Sequence, residues 1–316
     1  MTLKKQINHM KRQYVQIFIK RIPLIGLILL FTPCYAQYQE KNEVSFFAGG
    51  GYSTLYYYLH QVPDGKFKPG YGGTTGLGYT RFFNDFIGIG TGVEIGYYTA
   101  QTTIAQFSDK YSAFDKEDNF EFRYTVDGYD EKQNLWAVNI PLMLHLQFPL
   151  LHDEHLCYVA LGGRVGFPVR SEYNSSASTY TTSAYYPQYD VLLESPASQG
   201  LGVFHNRKYK DELKFHTLYM LSAELGMKWL ISDRFSLYTG VYFDYGLHDI
   251  YKNKQYEYFL KYSEDKPASL PNQSILKSRS NQDNHIDSFA GKVLPNALGI
   301  KIRLAFRIPD KGSCCP

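Results

Sequence analysis

The chain has 316 residues and a formal net charge of +3, yet its first 36 residues hold six basic side chains (Lys4, Lys5, Lys11, Arg12, Lys20, Arg21) and no acidic one. That stretch is laid out as an export signal, with an apolar run over 22–31 and small residues Cys34 and Ala36 before a cut at Gln37. Its removal leaves about −3, which excludes a basic nucleic-acid surface, and Cys157, Cys314 and Cys315 are too few for a disulfide framework.

The apolar run of the signal carries Pro23 and falls short of the roughly 20 residues a spanning helix needs. Phe31-Thr32-Pro33 before Cys34 does not read as a lipid-attachment sequence. With 29 Tyr, 21 Phe and 26 Gly and no later long apolar run, the rest reads as strands separated by turns. Two glycine-rich strands come first, around 44–52 and 72–83. In the third, Ile87, Ile89, Val93, Ile95 and Tyr97 alternate with Gly88, Gly90, Gly92, Glu94 and Gly96, a period of two. The fourth sets Trp136, Val138, Ile140, Leu142, Leu144, Leu146 and Phe148 against Asn139, Met143, His145 and Gln147.

The fifth strand opposes Val159, Leu161, Val165 and Phe167 to Ala160, Gly162, Arg164 and Gly166. The sixth opposes Leu221, Leu225, Met227 and Trp229 to Ser222, Glu224, Gly226 and Lys228. The seventh carries Leu237, Val241, Phe243 and Tyr245 against Gly240, Tyr242, Asp244 and Gly246. The last carries Leu298, Ile300, Ile302, Leu304 and Phe306 against Gly299, Lys301, Arg303 and Arg307.

Alternation alone fits a soluble sandwich as well as a membrane barrel. The connections decide between them. Short ones at 84–85, 150–155 and 232–234 alternate with long ones near 60–68, 101–132, 171–215 and 249–291, the asymmetry of outer-membrane barrels. Aromatics also gather in two groups: Phe82, Phe83, Phe86, Phe148, Trp229, Phe235 and Phe306 at the short-turn ends, and Tyr56, Tyr57, Tyr58, Tyr97, Tyr98, Tyr219 and Tyr245 at the long-loop ends. The pattern predicts an all-β, antiparallel transmembrane barrel of about eight strands: a signal over 1–36, the outer-membrane barrel over 37–309 and a periplasmic tail over 310–316. Pro141 cannot donate to a ladder, so a bulge or a lost bond is expected there.

Four segments, "NIPLMLHLQF" (139–148), "YVALGGRVGF" (158–167), "YFDYGLHDIY" (242–251) and "LGIKIRLAF" (298–306), together with "GLGYTRFFNDFIGIGTGVEIGY" (76–97), resemble the PorT-like outer-membrane β-barrel proteins, which are similar in size to OmpA-type barrels. The resemblance implies the fold and the outer membrane, and brings no catalytic residues.

Parity sends Glu94, Glu224 and Asp244 into the lumen with Arg164, Lys228, Lys301, Arg303 and His145. An eight-stranded tube is filled by its own side chains, so these charges are expected to pair and plug it; a gated small-solute pore or an accessory barrel of a secretion apparatus is the alternative. Asp244, His248 and Asp249 near the rim could activate water, but no serine or cysteine partner stands at a useful spacing, so no enzyme activity is expected. Loop 101–132 holds eight acidic residues, Asp109, Asp115, Glu117, Asp118, Glu121, Asp127, Asp130 and Glu131, without the glycine and terminal glutamate of a calcium loop, and reads as a solvated acidic loop. The Tyr-, Ser- and Thr-rich loop after the fifth strand, with Tyr180, Tyr185, Tyr186 and Tyr189, has the composition of a binding loop. No cofactor or metal is expected. The expected partners are outer-membrane lipid and an extracellular ligand or envelope protein that composition does not name.

Overall fold

Eight strands form a closed ring in chain order, each antiparallel to its neighbours: β1 (Lys41–Tyr56), β2 (Tyr71–Phe82), β3 (Ile87–Asp115), β4 (Asp118–Pro149), β5 (His155–Tyr186), β6 (Leu218–Leu230), β7 (Phe235–Gly246) and β8 (Leu294–Ile308), which pairs back to β1. The computed structural model describes residues 41–60, 62, 64–115, 118–149, 155–252, 257–280 and 287–308. The signal over 1–36, the tail over 310–316 and its Cys314 and Cys315 lie outside the described residues.

Short turns close by side-chain chemistry. Asn84 Oδ1 accepts the backbone N–H of Phe86 (2.9 Å) and Ile87 (2.6 Å), and Ser232 Oγ accepts that of Phe235 (3.2 Å). At Pro141 the β3–β4 register passes from Thr91↔Leu142 to Glu94↔Asn139 with no pair between, an interruption that follows from the missing N–H. A separate bulge sits between Trp136 and Ala137, where β5 carries Val169 as an extra residue between Pro168 and Arg170.

The ring's large apolar side chains point away from its interior. Val93 is 56% exposed, Leu142 60% and Ile300 65%, and every strand of the ring contributes to this band. Such a band has no place in water, where burying each of these side chains is worth about 1.5–3 kcal/mol; against hydrocarbon it costs nothing. At the short-turn end Phe83, Phe86, Phe148, Trp229, Phe235 and Phe306 face outward, whereas Phe82 is buried inside. At the other end Tyr52, Tyr58, Tyr71, Tyr219 and Tyr245 face outward with Trp136, while Tyr57 and Tyr98 are buried inside, contrary to their expected place in the girdle.

The largest departure from the sequence reading lies beyond that girdle. β3, β4 and β5 run for 29, 32 and 32 residues, about three times the roughly 9–11 that a spanning strand needs. The segments 101–132 and 171–186, expected to be loops, continue the sheet as a tall extension, widened by strand Lys66–Pro69 on β3 and strand Gly202–Glu212 on β5. Polarity inverts along each long strand. Within the membrane band β3 turns Glu94 and Gly96 inward and Val93 and Ile95 outward; in the extension it turns Ile104, Phe107 and Tyr111 inward and Ser108, Lys110 and Ser112 outward. The wall faces lipid below and water above, so the same alternation must carry opposite chemistry.

Residues within 247–252, 257–280 and 287–293 cover the inner face of the extension. Phe259, Leu260, Ile275, Leu276 and Phe289 form one buried cluster with Phe107, Phe122, Tyr124 and Val126. Polar ties fix it at several points: Tyr111 Oη donates to the carbonyl of Leu260 (3.2 Å), Tyr173 Oη to that of Asn272 (2.9 Å), and Arg207 Nη2 to that of Ala268 (2.9 Å).

Candidate functional site

The lumen is lined by the faces that alternate with the lipid-facing side chains, so β3 supplies Glu94, β5 Arg164, β6 Glu224 and Lys228, β7 Asp244, and β8 Lys301 and Arg303. All seven are buried, and six of them meet. Arg164 is the hub. Its Nη1 lies 2.5 Å from Asp244 Oδ2, its Nη2 3.2 Å from Glu224 Oε1 and its Nε 3.4 Å from Glu94 Oε1. Glu224 also takes Lys301 Nζ at 2.5 Å and Arg303 Nη2 at 2.7 Å. The cations lie against rings, with Lys301 Nζ 4.7 Å from the Phe47 centroid and Arg303 Cζ 5.5 Å from that of Tyr238.

Lys228 does not join this cluster. It pairs nearer the short-turn end with Glu43, at 2.7 Å, and Tyr238 Oη donates to the other oxygen of that carboxylate at 2.6 Å. Glu43 was missed by the sequence reading, which began β1 at Val44; its signal is the parity of Ser45 and Phe47, one step further toward the N-terminus. With it, among the described residues, the lumen's ion pairs join four carboxylates to four cations, each with an opposite charge within 3.4 Å.

Glycines make the room. A Cβ at Gly90 would lie 2.6 Å from His145 Nε2, and one at Gly166 would lie 2.3 Å from Asn139 Oδ1, so both side chains occupy space in the lumen that a side chain at these glycines would close. Beside Glu94, His145, Arg164, Glu224, Lys301 and Arg303 lies a cavity of about 20 Å³, little more than one water needs.

The rim grouping of Asp244, His248 and Asp249 does not assemble. Asp244 is committed to Arg164 inside the lumen, the His248 ring packs 5.2 Å from that of Tyr219, and Asp249 Oδ1 accepts the backbone N–H of Tyr251 and of Val293, both at 3.0 Å. Among the described residues no group of three or more His, Cys, Asp or Glu is placed to hold a metal ion. The acidic segment is strand over 101–115 and 118–132 rather than solvated loop, and Glu117 lies outside the described residues. Asp109 and Glu131 are buried, and Glu121 pairs on the surface with Arg123 (2.6 Å) and Lys110 (3.1 Å). Glu131 pins the covering segment: its carboxylate accepts from Ser274 Oγ (2.6 Å), the Ile275 N–H (2.8 Å), Gln133 Nε2 (2.6 Å) and Tyr129 Oη. Burial raises its pKa above the ordinary carboxylate value, against the pull of those donors.

The four tyrosines of the expected binding loop part company. Tyr180 is buried inside the extension. Tyr185 lies under Arg123 at 4.4 Å and donates to Asp190 Oδ1 at 2.8 Å; Tyr186 stacks on Phe120 with centroids 5.4 Å apart. Tyr189 alone of the four is exposed, at 63%, beside Asp118 at 3.3 Å.

Residues 34–252 match the family described as "Outer membrane protein beta-barrel domain". Among solved structures the chain is similar to the outer membrane protein OprG from Pseudomonas aeruginosa (12% identity, 87% of this chain and 98% of that one, TM-score 0.38). It is also similar to Neisserial surface protein A (8% identity, 84% and 94%, TM-score 0.27) and to Ail, the attachment invasion locus protein of Yersinia pestis (10% identity, 85% and 99%, TM-score 0.27). No curated protein matches the chain.

Proposed function

The chain belongs to the outer membrane protein β-barrel domain family and resides in the outer membrane, and from that premise we propose that it is a non-conducting barrel serving as a rigid pedestal for a surface-exposed binding or structural platform. The observation that carries this reading is the cross-barrel pairing of the buried lumen charges, six of them around Arg164 and Glu224 and Lys228 separately with Glu43, beside a cavity of about 20 Å³ where a pore would need a continuous water path. The extension supports the second half: outer-membrane barrels turn their longer connections outward, and here those connections are built as sheet with a packed core, a surface able to hold a partner in fixed geometry. The resemblance to PorT-like barrels is compatible with a role beside other envelope proteins.

The test has two arms. In planar bilayers the purified protein should give no stable steps, and liposomes containing it should not swell in small sugars; nanosiemens-scale open steps would replace the pedestal with a channel. On intact cells, a cysteine placed at Ser112, on the outer face of the extension, should react with a membrane-impermeant maleimide. Reaction only after the outer membrane is opened would put the extension on the wrong side.

A further inference from the structure

The extension ends at the β3–β4 hairpin and at the turn after β5, and there the sheet gains a last short strand, Val191–Leu193, paired with Ala184, Tyr185 and Tyr186. Among the described residues nothing pairs with its other edge, which therefore offers backbone donors and acceptors to water. All three of its side chains are apolar and exposed, at 42%, 46% and 40%, and Phe114, at 52%, stands exposed near the tip of the neighbouring hairpin. The neighbouring edge strand, Gly202–Glu212, is protected in the usual ways: Lys208 and Lys210 stand exposed on it, and Arg207 ties it to the covering segment through the carbonyls of Ala268 and Ser269. Val191–Leu193 carries neither lysine nor proline.

The ground around this edge is acidic. Asp190 and Glu194 flank the strand, Asp115 and Asp118 close the adjacent hairpin, and Glu121 sits opposite Tyr185. Among the described residues Arg123 and Lys110 both pair with Glu121. A second copy of the chain would bring the same carboxylates against themselves, which like-charge repulsion opposes.

We propose that the Val191–Leu193 edge is a docking site for an extended segment of a second protein, apolar at its centre and flanked by Lys or Arg, which adds as one more strand. The backbone ladder supplies the binding, Leu192 and its neighbours accept the alternate apolar side chains, and the carboxylates select the basic flanks. This rests on the reading of the extension as a binding platform and gives that platform a place and a partner chemistry.

The experiment uses the full-length protein in detergent or neutral nanodiscs and three short labelled peptides: an alternating Val-Thr centre flanked by lysines, the same centre flanked by glutamates, and a Gly-Ser centre flanked by lysines. Fluorescence anisotropy should show the first binding at least ~10-fold more tightly than either other, a difference of about 1.4 kcal/mol. Leu192→Pro, verified as folded by its heat-dependent gel migration, should weaken that binding by a similar factor, and isotope-edited infrared spectra should place the bound peptide carbonyls in a β-ladder. Equal binding of the two lysine-flanked peptides, or of the lysine- and glutamate-flanked ones, would overturn the proposal, as would unchanged binding to Leu192→Pro. So would self-association abolished by Leu192→Pro, which would make a second copy the occupant. Absence of peptide binding in a protein that is also non-conducting would overturn the docking site alone, whereas open conductance would remove the platform reading beneath it.

Discussion

Replacing Glu224 by alanine is the most informative single change in the lumen. The carboxylate meets Lys301 at 2.5 Å, Arg303 at 2.7 Å and Arg164 at 3.2 Å, and its side chain is about 2% exposed. Arg164 would keep Asp244 and Glu94, but among the described residues Lys301 and Arg303 have no second direct ion pair, so two buried cations would be stranded together. Breaking a buried pair costs about 3–5 kcal/mol, and the double stranding places Glu224→Ala at the upper end. Asp244→Ala, which leaves Arg164 with two carboxylates, should cost less, about 3 kcal/mol or below. Adding Lys301→Met to Glu224→Ala should recover part of the loss, a coupling of about 0.5–3 kcal/mol. Urea titration of the protein folded into lipid vesicles, read by the gel mobility of unheated samples, measures all three alongside bilayer conductance. A loss below about 1 kcal/mol for Glu224→Ala, a larger loss for Asp244→Ala, or a rise in conductance at unchanged stability would refute the reasoning that these charges exist to fill the tube.

Unheated samples should migrate apart from boiled ones, because a closed ring of paired strands resists detergent; identical migration would argue against closure. The inversion of polarity along β3 predicts that Ile95→Arg costs roughly 2–4 kcal/mol in assembly while Ser112→Arg, on the same outer wall, stays within about 0.5 kcal/mol, and equal effects would refute the placement of the membrane boundary. For Glu131 the pKa is raised when the covering segment is seated, so seating takes up a proton. Protection of the Ile275 amide, corrected for intrinsic exchange, should therefore rise as pH falls through the seated-state pKa, level off below the unshifted value of 4.5, and be lost again as pH rises. Glu131→Gln should flatten this dependence, and Glu131→Ala should cost about 1–3 kcal/mol by leaving Ser274 and Ile275 donors unmet.

The period-two alternation in the sequence, read together with the alternation of short and long connections, was enough to determine the membrane-spanning ring, because a wall between lipid and a filled lumen must change chemistry at every residue and outer-membrane barrels lengthen one end only. Parity likewise placed Glu94, Arg164, Glu224, Lys228, Asp244, Lys301 and Arg303 inside. It could not say that Arg164 rather than another cation is the hub or that Lys228 pairs with Glu43, since partners across a barrel are set by strand register and by which glycines leave room, as Gly90 does for His145. The extension was legible in principle: Phe120, Phe122, Tyr124 and Val126 alternate cleanly with Asn119, Glu121, Arg123 and Thr125, but their polarity, interrupted charge and length beyond any membrane made them read as loop. Only the tertiary structure decided that these residues continue the sheet, because what holds their apolar face is a set of residues within 257–280 and 287–293, with contacts spanning 143 to 149 positions in sequence and without a strong periodicity of its own. Strand alternation is a local property that a sequence writes down directly; the burial that turns an aromatic stripe into a wall depends on which distant segment comes to cover it.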